Sequence, residues 1–250
     1  MRRELFIGAI LAIMLAYIFL IGVPVIRLET EEKTIRMKAE DVPAENPRYG
    51  TAKILLPAIE EDGNGTMAWL KVEVNQGEGR ILLEIDKISF LDNTQDSIRL
   101  GKLVAEGLVN LDTGNYDIIY SVDADVSKIE GPSAGPAIAI ATAIALQNKT
   151  INDSVVISGY LREDGTIEKV SGLLVKAEAA KTNGVKLFLV PSGQSIQIKT
   201  STEKTCDSEG LTTFCETKKT REKVSIQDEV GIDIVEVKTV SEALKYFIVD

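Results

Sequence analysis

Residues 136–146, Pro-Ala-Ile-Ala-Ile-Ala-Thr-Ala-Ile-Ala-Leu, constrain the fold more than any other segment, because apolar side chains fill nearly every position and no charge interrupts them. A helix that is apolar all round has to be buried all round. About 11 residues are too few to cross a membrane, which takes about 20, so this helix predicts the centre of a globular core. Directly before it stands Gly131-Pro132-Ser133-Ala134-Gly135, which puts a serine where the helix begins. Backbone N–H groups at such a position lack partners and the helix dipole is positive, which favours an anion on or beside the hydroxyl. The flanking glycines leave room for a ligand to approach. On composition alone, a tight structural turn is the competing reading.

The chain contains no histidine, so a reactive serine needs another general base. Lysine can serve if burial lowers its pKa. Residues 172–184, Gly-Leu-Leu-Val-Lys-Ala-Glu-Ala-Ala-Lys-Thr-Asn-Gly, read as a short helix ended by Asn183-Gly184. Helical spacing puts Leu173, Lys176, Ala177 and Ala180 on one face, so Lys176 stands among apolar neighbours while Glu178 and Lys181 lie towards the polar side. A surface lysine snorkelling from an amphipathic helix is the alternative.

Together these segments resemble the proteolytic domain of the Lon family of serine peptidases. The resemblance rests on Glu130-Gly-Pro-Ser133-Ala-Gly135, Ser158-Gly159-Tyr160-Leu161, Gly165, Gly172, Lys176, Ala179-Ala180 and Gly184 through Val190-Pro191. It runs without gaps from about Asp117 to Pro191. It implies that Ser133 is the nucleophile and Lys176 its partner in a Ser-Lys dyad, with Ser158 as the hydroxyl that supports the lysine. Glu130 stands where the family commonly has aspartate, and its carboxylate can pair with protonated Lys176 to hold the resting site inactive. Tyr160 replaces the family's glutamate. The implied activity is endopeptidase cleavage of peptides or unfolded protein segments, with oxyanion donors from backbone N–H groups in the turn of Gly131, Ser133, Ala134 and Gly135. No cofactor and no metal is expected. Family members assemble as rings, so a homo-oligomer is expected too. A catalytically silent relative, a membrane-tethered peptide-binding module of the same fold, is the rival reading; the presence of both Ser133 and Lys176 weighs against it.

The amino terminus adds a second signal. After a tail of residues 1–4, an apolar run extends from Leu5 to Ile26, long enough to span a bilayer. Arg2 and Arg3 on the leading side favour keeping that end in the cytoplasm. The expectation is a single-pass anchor at the cell membrane with the remaining chain outside the cytoplasm; a cleaved signal peptide would export it in the same direction. Cys206 and Cys215, close together in a polar segment, suit a disulfide in an oxidising compartment, with an incidental free pair as the alternative. Asn64, Asn148 and Asn152 begin Asn-x-Ser/Thr triplets, usable glycosylation acceptors outside the cell. The formal charge of −10 argues against a nucleic-acid partner. The sequence contains no G-x-x-x-x-G-K-[ST] phosphate loop, so no nucleotide is expected and cleavage should be ATP-independent.

The expected organisation is a charged stalk over residues 27–50 and one α+β domain of mixed strands over residues 51–250, following the single transmembrane helix. Residues 68–74 and 80–88 read as strands of one hairpin across Gln76-Gly77-Glu78-Gly79. Asp96 is placed to cap a helix from Ser97 to about Asn110 whose apolar side includes Ile98, Leu103 and Val104. Further strands are expected over residues 117–122, 155–161, 167–170, 186–190 and 232–237, with a closing helix from Ser241. Residues 192–230 read as a polar, irregular insertion, a rim or lid over the site.

Overall fold

The structure is a computed structural model describing residues 50–85, 89–90, 92–123, 128–129, 131–209 and 212–249. Every described residue lies in the compact unit of residues 45–250. The expected tail (1–4), transmembrane helix (5–26) and stalk (27–50, apart from Gly50) therefore lie outside the described residues. Among the described residues, no helix is long and apolar enough to cross a membrane.

The described residues open with β1 (Gly50–Ile59), β2 (Gly65–Gln76), β3 (Ile81–Leu83) and β4 (Ser89–Phe90), followed by α1 (Asp92–Val109), β5 (Tyr116–Asp123) and β6 (Lys128–Ile129). A 3-10 turn, Pro132–Ala134, leads into α2 (Gly135–Leu146), then β7 (Thr150–Ile151), β8 (Val155–Ile157), β9 (Tyr160–Leu161), β10 (Ile167–Glu168) and α3 (Leu173–Thr182). The remainder is β11 (Leu187–Pro191), β12 (Ile196–Glu209), β13 (Thr212–Ser225), α4 (Ile226–Val230), β14 (Asp233–Val237), α5 (Val240–Phe247) and β15 (Ile248–Val249). This is the α+β mixture expected. One sheet has the order β1-β2-β5-β3 and a second, fully parallel one the order β14-β11-β8. Helix α2 is buried along its whole length and packs against α1, β1, β2 and α5. Ile138, Ile140 and Ile144 are at most 2% exposed, each a gain of about 2 kcal/mol from apolar burial. Thr142, the one hydroxyl in this helix, is satisfied by donating to the Ile138 carbonyl at 2.7 Å and meeting the Tyr120 hydroxyl at 3.0 Å.

Four expectations need correction. The hairpin partner of β2 is β1, not the strand after Gly79, and β3 lies beyond β5 and parallel to it. The cause is Asp117 on β5, which accepts the Glu78 and Arg80 backbone N–H groups at 2.9 and 3.0 Å and pairs with the Arg80 guanidinium. These contacts wrap the turn around the end of β5 and deliver the chain to its far side. Gly77 is needed there, since a Cβ would sit 2.1 Å from the Asp117 carboxyl carbon.

Helix α1 starts a turn earlier than Ser97. Ser97 donates to the Asn93 carbonyl as an interior residue would, and Asp96 pairs with Arg99 instead of capping. On its apolar side Ile98 and Val104 are buried but Leu103 is 53% exposed. The strand expected over residues 155–161 is broken at Ser158-Gly159, with β8 joining the parallel sheet and β9 pairing with β10. Finally, residues 196–209 and 212–225 are not irregular: they form a two-stranded antiparallel ribbon, β12 on β13, continued by α4. Threonines and cross-strand pairs such as Glu203 with Lys218 and Lys199 with Glu222 make this polar segment a good strand former. Cys206 and Cys215 are directly opposed in it and are bonded.

Of the three candidate acceptor asparagines, Asn64 and Asn148 are exposed. The Asn152 side chain is engaged by the Ser154 N–H and the Tyr246 carbonyl.

Candidate active site

Three elements distant in sequence converge on one point. Ser133 is held in the Pro132–Ala134 turn at the head of the buried helix α2. Lys176 comes from the second turn of α3, whose face of Leu173, Ala177 and Ala180 is fully buried. That face packs on a second core cluster with Val156, Phe188, Val190 and Ile226. Burial of its neighbours drags Lys176 to 4% exposure. Ser158, fully buried, follows the end of β8, and its N–H donates to the Leu189 carbonyl at 3.2 Å.

The Lys176 Nζ lies 2.7 Å from the Ser133 Oγ and 3.1 Å from the Ser158 Oγ. Both partners are neutral hydroxyls, and among the described residues no carboxylate pairs with the amine. Burial pushes the Lys176 amine down to about 8 from its ordinary 10.5. A serine hydroxyl is thus in direct contact with a lysine that is neutral in a large fraction of molecules near pH 8. Such a pair can transfer a proton from Oγ to Nζ as Oγ attacks an electrophile.

Ser133, Lys176 and Ser158 meet directly. Gly131 and Ala134 line the cleft beside Ser133, whereas Gly135 is buried and its N–H donates to the Pro132 carbonyl within the turn. Glu130 lies outside the described residues. Cys206 and Cys215 are in the ribbon, apart from the dyad in sequence and in element. Among the described residues no cluster of histidine, cysteine or carboxylate side chains could hold a metal.

Sequence reasoning missed Gly159 as a site residue. Its N–H donates to the Ser133 carbonyl at 3.1 Å, tying the serine turn to the Ser158 strand. Its bare Cα fits a gap in which a Cβ would come within 2.3 Å of an Ile167 methyl carbon. Strand β1 was missed as well, and with it Leu56 and Ile59, which line a cleft of about 380 Å³ opening over Ser133. The apolar run Ile54-Leu55-Leu56 was the available signal.

Residues 113–224, which include Ser133, Ser158 and Lys176, match the family profile described as the Lon protease (S16) C-terminal proteolytic domain. The chain is 28% identical over 169 residues to an archaeal Lon protease of Methanocaldococcus jannaschii, covering 63% of this chain and 25% of that protein. It is 22% identical over 180 residues to a Lon protease of Borrelia duttonii, covering 71% and 21%. Over 104 residues it is 30% identical to an archaeal Lon protease of Methanothermobacter thermautotrophicus, covering 38% and 16%. The matched region thus spans a quarter or less of the length of these curated relatives.

Proposed function

This chain carries a Lon-type serine peptidase domain, and from that premise we propose that it is an endopeptidase acting on peptides or unfolded protein segments through Ser133 and Lys176. The observation that carries the reading is the 2.7 Å contact between a serine hydroxyl and a lysine amine lowered to about 8, at the floor of an open cleft.

In the proposed reaction the neutral Lys176 Nζ takes the Ser133 proton as Oγ bonds to the peptide carbonyl carbon. The carbonyl oxygen becomes an oxyanion, met by N–H groups of the Gly131–Ala134 turn and by the positive end of α2. The intermediate collapses, the C–N bond breaks and the leaving amine takes the proton from the Lys176 ammonium. An ester to Ser133 remains. Water then adds to the ester with Lys176 again as base, the ester bond breaks, and the proton returns to Oγ, freeing the acid product. Ser158 accepts a hydrogen bond from Nζ throughout and so aims its lone pair at Ser133.

Residues 5–26 are proposed as a single-pass membrane anchor with the peptidase domain outside the cytoplasm; Arg2 and Arg3 before the run support that orientation, and the Cys206–Cys215 bond suits an oxidising compartment. Cleavage by this chain is proposed to need no nucleotide. Assembly as a homo-oligomeric ring is proposed from the family resemblance alone.

The test is hydrolysis of casein by the purified chain with and without ATP, beside Ser133→Ala and Lys176→Ala. Cleavage by the parent alone, indifferent to ATP, is the expected result. Cleavage that survives Ser133→Ala refutes the mechanism. A folded parent that binds casein but never cuts it supports a silent binding module instead.

A further inference from the structure

The cleft over Ser133 is walled by apolar groups, among them Leu56, Ile59, Pro132 and Val170, and among the described residues one exposed lysine also lines it, Lys169. The segment bearing it belongs to no sheet, but it is firmly held. Gln194, at the root of the β12–β13 ribbon, accepts the Val170 N–H at 2.9 Å and donates to the Val170 carbonyl at 2.7 Å, as a neighbouring strand would. The Gln194 turn is itself fixed by Glu236, whose two oxygens accept the Gly193 and Ser195 N–H groups at 2.8 and 2.9 Å. Lys169 lies against this turn, its Nζ 3.8 Å from where a Cβ on Gly193 would sit.

The carboxylates nearest in the chain and in the turn have other partners. Glu168 faces Arg162 at 3.6 Å, and Glu236 is taken by backbone N–H groups. Among the described residues nothing pairs with the Lys169 ammonium. Lys176, the other lysine of the cleft, is buried and spends its hydrogen bonds on serines. Among the described residues Lys169 is therefore the exposed cation of the cleft, on a molecule whose overall charge is −10.

Resting on the peptidase reading, we infer that Lys169 is a specificity-determining residue. It selects substrates in which an acidic side chain stands close to the large apolar side chain that fills the cleft. The apolar group is drawn in by burial, and the carboxylate pairs with Lys169 at the rim. Rim pairs of this kind act modestly and fade with salt.

The test uses three fluorescein-labelled peptides, identical except for Glu, Gln or Lys beside a central leucine. Binding is read by anisotropy on the full chain in detergent micelles with Ser133→Ala to prevent turnover, and kcat/KM is read on the same chain with Ser133 intact. At low ionic strength the Glu peptide is expected to bind about threefold more tightly than Gln and about tenfold more tightly than Lys. The preference should shrink towards one in 0.5 M salt. Adding Lys169→Ala should flatten the order and Lys169→Glu should reverse it. Equal affinities, an order that survives Lys169→Glu, or no binding of any peptide overturns the inference. If the charge order is found but no peptide is cut, the inference stands and the peptidase reading fails.

Discussion

Removing the proton from Lys176 is the perturbation whose outcome the structure specifies most closely. The displacement from 10.5 to about 8 corresponds to about 3 kcal/mol of preference for the neutral amine. Only the neutral form can act as base. At pH 7 it makes up about a tenth of the molecules, at pH 8 about half and at pH 9 about nine-tenths. The expected kcat/KM for a neutral peptide therefore rises about tenfold between pH 7 and pH 9 and is flat above. A lysine at its ordinary value would give a rise of about a hundredfold over the same interval, continuing towards pH 10.5. No histidine exists to add a step near pH 6.5. The α-amino group ordinarily titrates near 8, so the profile is repeated with an acetylated amino terminus. The same displacement acts on stability, with the opposite sign to a salt-bridged lysine. Between pH 8 and 10.5 the unfolded chain holds a proton on this lysine that the folded chain lacks, so stability rises with pH across that window. Lys176→Met removes this contribution, and the difference in unfolding free energy between variant and parent should move by about 3 kcal/mol in the parent's favour from pH 8 to 10.5. A rate that climbs without a plateau past pH 9.5, or a stability difference that ignores pH, refutes the account of a desolvated amine.

Three further outcomes follow from contacts around the dyad and the sheet. Ser158→Ala removes one of two acceptors on Nζ in a dry site; peptide assays should show kcat down by about tenfold with little change in KM, on the scale of one hydrogen bond to a charged or strongly polar group. Gly159→Ala forces a methyl into Ile167 and pries the Ser133 turn from the Ser158 strand, so kcat/KM should fall by more than about tenfold while circular dichroism keeps its folded signature. Hydrogen bonds and the charge of Arg80 hold the Asp117 carboxyl well below the usual carboxylate range; its contribution is complete above the ordinary carboxylate pKa and is lost as pH falls through the folded value. Asp117→Asn should therefore be less stable than the parent at pH 7 but converge on it as the pH is lowered from 4 towards 2, read from denaturant midpoints.

Local order was legible in the residues themselves. The charge-free run of residues 136–146 could only be a buried helix, Asn183-Gly184 marked the end of α3, and the spacing of Leu173, Ala177 and Ala180 announced that Lys176 would share their burial. These features depend on neighbours one helical turn apart, so periodicity suffices to read them. What the tertiary structure decided depends on partners far apart in the chain. Residues 80–88 looked like the second half of a hairpin because strand propensity does not name a partner; Asp117, 37 residues from Arg80, takes the turn around β5 instead. The polar segment before α4 looked irregular because no apolar face marks it, and only the cross-strand pairing of Cys206 with Cys215 and of lysines with glutamates makes it a ribbon. The contact of Ser133 with Lys176 belongs to this second class: 43 residues separate the two, and the amine is pushed down because folding strips its water and sets two hydroxyls against it.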